Sequence, residues 1–214
     1  MIVTVFRIDM TFSLKQLPLE LVSEAAAADA RAAIAQLLQR PDANQLHGFA
    51  ICTDPDVTSA YWTAETAAQL HRRGEELLAR NKKADPNSAL KLNAAIDACR
   101  FDACDWTINR NTELEIRLEY LNEAIANVWD IIDALPDSDE KILEDCPSAS
   151  RAVLRAIGRG LLAVSESFDW SPGKARLSLV VWENDPDYPE VVREIVGLLN
   201  DSETFRKFCD HYRY

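Results

Sequence analysis

Histidine is scarce in this chain, and the three present are scattered. His47, His71 and His211 never fall four residues apart, and no H-E-x-x-H occurs. The spacing that lets one helix face grip a zinc ion is therefore missing. Glycine is also scarce, at six residues, and forms neither G-x-G-x-x-G nor G-x-x-x-x-G-K-[ST]. That excludes the usual backbone cradles for dinucleotides and nucleoside triphosphates. Gly158 and Gly160 sit inside a helical pattern, where small residues permit close helix packing. There is no G-x-S-x-G elbow, and no S-x-x-K followed by its usual partners. No apolar run approaches the roughly 20 residues that cross a bilayer. The apolar start, Met1 to Met10, is short, lacks a basic lead and contains Arg7 and Asp9. It reads as neither a signal peptide nor a membrane span.

Cysteine is present but unpatterned. Cys52, Cys99, Cys104, Cys146 and Cys209 are odd in number, with irregular spacing and no C-x-x-C. Reduced thiols in a cytoplasmic protein are the expectation. A cysteine nucleophile would need a histidine beside it. His47 and Cys52 lie five apart on one strand pattern, so their side chains point to opposite faces. Cys209 and His211 lie two apart on a helical pattern, about 200° from each other. Paired carboxylates are too common here to single out a glycosidase pair. No catalytic residue, metal or cofactor is expected.

Positive charge is in short supply. Lys and Arg total 23 against 35 Asp and Glu, a net charge of −12. Such a field repels nucleic acid and anionic membranes, and it attracts cationic partners. The acids are also concentrated. Residues 111–145 hold eleven acids and two bases, or nine of the twelve net negative charges. A second cluster, Glu183, Asp185, Asp187 and Glu190, follows the last apolar run.

The pattern of apolar residues predicts a mostly helical α+β fold, a single domain over 1–214 with a small sheet of three or four strands. Residues 1–17 form an N-terminal strand and extension, and 18–214 the main body. A division near 85 or 136 is the alternative. Residues 2–9 read as a strand, 18–40 as a helix stopped by Pro41, and 46–62 as a hairpin turning at Asp54-Pro55-Asp56. Its first strand, HGFAICT, is apolar on both faces. Thr63 reads as the N-cap of a helix over 64–82, followed by a short helix over 88–100. Leu114, Leu118, Leu121, Ile125, Val128, Ile132 and Leu135 are spaced 4, 3, 4, 3, 4, 3. That heptad seam predicts one long helix starting at Asn111 or Thr112 and ending at Pro136. An acidic loop, PDSDEKILEDC, then leads to a helix opened by Pro147. Residues 175–182 read as a central strand, 189–200 as a helix opened by Pro189, and the last helix as capped by Asp201.

The hairpin HGFAICTDPDVTSAYWTAETAAQL resembles the start of an uncharacterised bacterial domain family. The features that carry the likeness are His47-Gly48-Phe49-Ala50, Thr53-Asp54, Ser59-Ala60 and Thr63. Asp105-Trp106, the long helix after it and the strand LSLVVWENDPD fit the same layout, so the likeness spans residues 20–190. It does not reach the first ten residues or the acidic 137–145 segment. Small acidic families of this kind resemble immunity proteins encoded beside bacterial toxins. The resemblance implies a non-enzymatic cytoplasmic protein that neutralises a basic toxin or effector. The residues expected to meet that partner are Asp133, Asp137, Asp139, Glu140, Glu144, Asp145, Glu183, Asp185 and Asp187. Two alternatives stand beside it: an enzyme of unrecognised chemistry, and a homo-oligomer built on the heptad helix over 111–135.

Overall fold

The computed structural model describes residues 14–108, 117–134, 139–167, 177–183 and 187–212. The strand expected over 2–9 lies outside them. Among the described residues the order is α1 (Leu19–Leu37), β1 (Leu46–Thr53), β2 (Ala60–Thr66), α2 (Ala67–Ala84), α3 (Leu92–Cys99), α4 (Glu119–Asp133), α5 (Asp139–Ser167), β3 (Ser178–Glu183), α6 (Pro189–Leu199) and α7 (Ser202–Tyr212). The fold is mostly helical α+β, built on a mixed sheet that has three strands among the described residues. No described helix is long and apolar enough to cross a membrane.

The sheet runs β2-β1-β3, with β1 antiparallel to β2 and parallel to β3. β1 is thus the central strand of the described sheet, and β3, expected to be central, is an outer one. The register explains why β1 is apolar on both faces. Phe49 and Ile51 align with Ala64 and Trp62 on β2 and with Leu179 and Val181 on β3, and this face meets the main core. Ala50 and Cys52 align with Thr63 and Tyr61, and with Val180 and Trp182. That opposite face carries a second core built with Phe101, Trp106, Val192, Val196 and Phe208. Its β1 residues are small because an aromatic ring sits on them: a Cβ on Gly48 would lie 2.6 Å from Trp106.

The helices pack where small residues allow. α1 is alanine-rich and lies along α5, where a Cβ on Gly160 would collide with the Ser23 carbonyl oxygen. Gly158, two positions away, faces Ile195 of α6 instead. The two glycines therefore admit one neighbour on each side of α5. These contacts, with the β1–β3 pairing, join chain from both sides of residues 85 and 136 into one core.

Four boundaries differ from expectation. Thr63 stays in β2, buried, and donates to the Ala103 carbonyl at 2.9 Å. The cap of α2 is Thr66, in a reciprocal capping box with Gln69. α4 starts at Glu119, with Leu118 preceding it; residues 109–116, including Asn111, Thr112 and Leu114, lie outside the described residues. Its first turn is capped from another helix: the buried Asp29 carboxylate of α1 accepts the Leu121 backbone N–H at 2.8 Å. The described seam residues Leu118, Leu121, Ile125, Val128 and Ile132 are buried in the main core, which occupies the seam within the chain. Finally, α5 runs through Pro147, so residues 139–145 form its first two turns rather than a loop. A proline inside a helix costs about 3 kcal/mol. Burial of Ala149, Val153, Leu154, Ala156, Ile157, Leu161 and Val164 further along α5 outweighs that.

Candidate functional site

The hairpin turn between β1 and β2 organises one end of the molecule. Asp54 receives the Thr58 N–H at 2.7 Å, the Thr58 hydroxyl at 2.9 Å and the Ser59 hydroxyl. Burial pushes its carboxyl pKa up, but the bonds from Ser59 and Thr58 outweigh that and leave it lowered. Val57 takes φ of 57°, a left-handed conformation that strains a β-branched residue. It is held there from two directions: its own N–H donates to the Asp54 carbonyl, and its carbonyl accepts Trp129 Nε1 of α4 at 2.9 Å. The neighbouring Asp56 carbonyl accepts the Ser150 hydroxyl of α5 at 3.3 Å.

These bonds, with the β1–β3 pairing, bring to one turn the elements whose sequences carry three acidic stretches. Trp129 lies on the last turns of α4, beside exposed Asp130 and Asp133. Ser150 lies on α5, whose first two turns carry Asp139, Glu140, Glu144 and Asp145. On the sheet, Thr53 pairs with Glu183, so β3 ends beside the same turn. Asp187 follows it, exposed, just ahead of α6. Asp137 and Asp185 lie outside the described residues. Residues 54–57, 130–145 and 183–190 hold thirteen acids and one base, Lys141.

The acids here are not equivalent. Asp130 and Asp133 sit at the negative end of α4, which has no base in its last turn. They enter none of the ion pairs among the described residues. By contrast, Glu190 and Glu194 on α6 meet Arg151 and Arg155 on α5, at 3.1 and 2.8 Å. Arg151 also stacks 4.7 Å from the Tyr188 ring centre. Sequence reasoning missed these two arginines and the contribution of Asp54 and Asp56. The matched four-residue spacing of both pairs was the signal available for the arginines.

A second polar cluster lies under the opposite end of β2. Glu65 is fully buried and bonds Arg73 at 2.8 Å, and Arg73 also faces Asp105 at 3.7 Å and Asp102 at 4.0 Å. Burial outweighs the pull of Arg73 and raises the Glu65 pKa to about 7. A surface cleft lined by Tyr61, Trp62, Arg117 and Asn122, and another lined by Glu190, Arg193, Glu194 and Phe205, both lack Glu65. The pair ties β2 to α2 and faces the connector at Asp102 and Asp105.

The histidines stay apart. His47 packs its ring 3.3 Å from Arg100, His71 faces Glu75 at 3.6 Å on the surface, and His211 faces Asp102 at 3.4 Å. No group of three or more metal-ligating side chains converges among the described residues, and none of the five cysteines is in a disulfide. No family model, no curated protein and no solved structure matches the chain.

Proposed function

We propose that this protein is a bacterial cytoplasmic binding protein of the immunity type, which neutralises a basic toxin or effector by docking it on the acidic end described above. The observation that carries the reading is the meeting, at one strained turn, of the three elements that carry the acidic stretches, with Asp130 and Asp133 left at the unfavourable end of α4. Like charges held together reduce stability. A cationic partner would relieve that cost, and the field would speed its approach. Asp133, Asp139, Glu140, Glu144, Asp145, Glu183 and Asp187 are assigned to the contact surface, with Asp54, Asp56 and Asp130 added. Asp137 and Asp185 belong to the same stretches of chain.

The test is co-expression of the tagged protein with the product of the adjacent reading frame. A stoichiometric complex with a basic protein, toxic when expressed alone and released by salt, supports the reading. A complex whose affinity ignores both salt and charge reversal at Asp130, Asp133, Asp139 and Glu140 overturns the assignment of the surface. Recovery of the chain alone overturns the pairing itself.

A further inference from the structure

Two thiols meet on the sheet face away from α1. Cys52 is fully buried in β1, in register with Tyr61 and Trp182. Cys104 is half-buried in the 3-10 turn Ala103–Asp105 and packs against the same core cluster. Thr63 clamps that turn to the sheet. Its hydroxyl donates to the Ala103 carbonyl at 2.9 Å and lies 3.8 Å from Cys52 Sγ. The two thiols are within hydrogen-bonding reach of each other.

We infer that Cys52 and Cys104 form a redox-sensitive pair, in which hydrogen peroxide oxidises Cys104 and Cys52 resolves it into a disulfide. The inference stands on this contact and does not depend on the proposed binding function. Cys104 has the partial exposure that an oxidant needs, and Cys52 lies behind it as the resolving sulfur. In the first step the Cys104 sulfur attacks one peroxide oxygen and the O–O bond breaks. Water leaves, and the product is Cys104 sulfenic acid. In the second, Cys52 sulfur attacks Cys104 sulfur, an S–S bond forms and the S–O bond breaks. The hydroxyl departs with the Cys52 proton as a second water. Two thiols and one peroxide thus give one disulfide and two waters. Burial, and then the Cys104 sulfur, hold Cys52 well above the usual thiol pKa. Cys104 is the sulfur that peroxide reaches first, because it is half-buried while Cys52 is fully covered. The bond would tie the turn at 103–105 to the central strand.

The experiment treats the folded full chain with limiting peroxide, counts free thiols and maps peptides without reduction. The expected result is a fall of two from the five free thiols, a Cys52–Cys104 linked peptide, and full reversal by dithiothreitol. Cys104→Ser should abolish the linkage, while Cys146→Ser and Cys209→Ser should keep it. Linkage of Cys104 to Cys99 or Cys209 would overturn the assignment. So would oxidation of Cys104 to sulfinic acid with Cys52 still free, or an unchanged thiol count in the folded chain. The wild-type peptide map decides the matter even if Cys104→Ser fails to fold.

Discussion

His47 and Glu65 give the protein opposite responses to acid. Burial, then the charges of Arg100 and Lys207, lower the His47 pKa to about 4. An unfolded histidine titrates near 6.5. The stability gained by keeping His47 neutral is complete above pH 6.5 and is lost as pH falls through 4. His47→Gln should therefore remove ~3 kcal/mol of the acid-induced loss between pH 7 and 4. Urea unfolding at the two pH values measures it, and equal losses in both proteins would refute the role. Glu65 runs the other way. Its pKa of about 7 lies above the unfolded value of 4.5. Its contribution is complete below pH 4.5 and lost as pH rises through 7. The stability of Glu65→Gln relative to wild type should therefore rise by ~3 kcal/mol between pH 5 and 8. Neither behaviour is legible in the sequence. Both depend on burial and on partners such as Arg100, 53 positions from His47.

At the scale of elements, the helices were mostly legible and their ends were not. The alanine-rich run, the Pro189 start and the Asp201 cap follow local rules, and each appears where local chemistry puts it. The ends depart from local rules where a distant group replaces a local one. Asp29 of α1 caps α4, so the helix begins without a local cap. Proline usually marks a first turn, but at Pro147 the buried remainder of α5 carries the helix through it. The sheet edges show the same dependence. Asn122 of α4 exchanges two hydrogen bonds with the backbone of Ala60 on β2, at 2.7 and 2.9 Å. Asn200, after α6, does the same for Leu179 on β3, at 3.0 and 2.7 Å. Each amide imitates a neighbouring strand and closes an edge that could otherwise recruit another chain. Asn200→Ala should lower stability by ~1–3 kcal/mol and increase self-association, read by denaturant unfolding and by sedimentation. Between helices, Gly160→Ala should cost ~1–3 kcal/mol despite alanine's better helix propensity, because the new Cβ meets the Ser23 carbonyl rather than a side chain that can turn away. A neutral result in thermal unfolding would mean that α1 and α5 separate easily.

For the whole molecule, the sequence disclosed how much negative charge there is and which stretches hold it, but not that the elements carrying them meet at one turn. Their meeting depends on a parallel pairing of β1 with β3, across more than a hundred residues, and on two bonds from Trp129 and Ser150 to the hairpin turn. Neither leaves a periodic trace. This arrangement separates a binding role from ordinary solubility. If the acids serve only solubility, replacing the two at the wrong end of α4 should be harmless or helpful in every assay. If they serve a partner, stability and affinity must move in opposite directions. Asp130→Lys and Asp133→Lys place cations at the negative end of a macrodipole and relieve repulsion, so each should raise unfolding stability by about 0.3–1 kcal/mol. The same changes should slow association with the basic partner and flatten its salt dependence, since exposed charges act mainly on encounter. Arg155→Ala and Glu194→Ala provide the control: this pair is exposed and already neutralised, so its loss should alter stability by under about 1 kcal/mol. Its loss should leave association unchanged. A double reversal that stabilises the fold and leaves association rate and salt dependence intact would assign the acidic end to solubility alone. A more stable protein that has lost its partner would mark Asp130 and Asp133 as residues kept for binding at a cost to the fold.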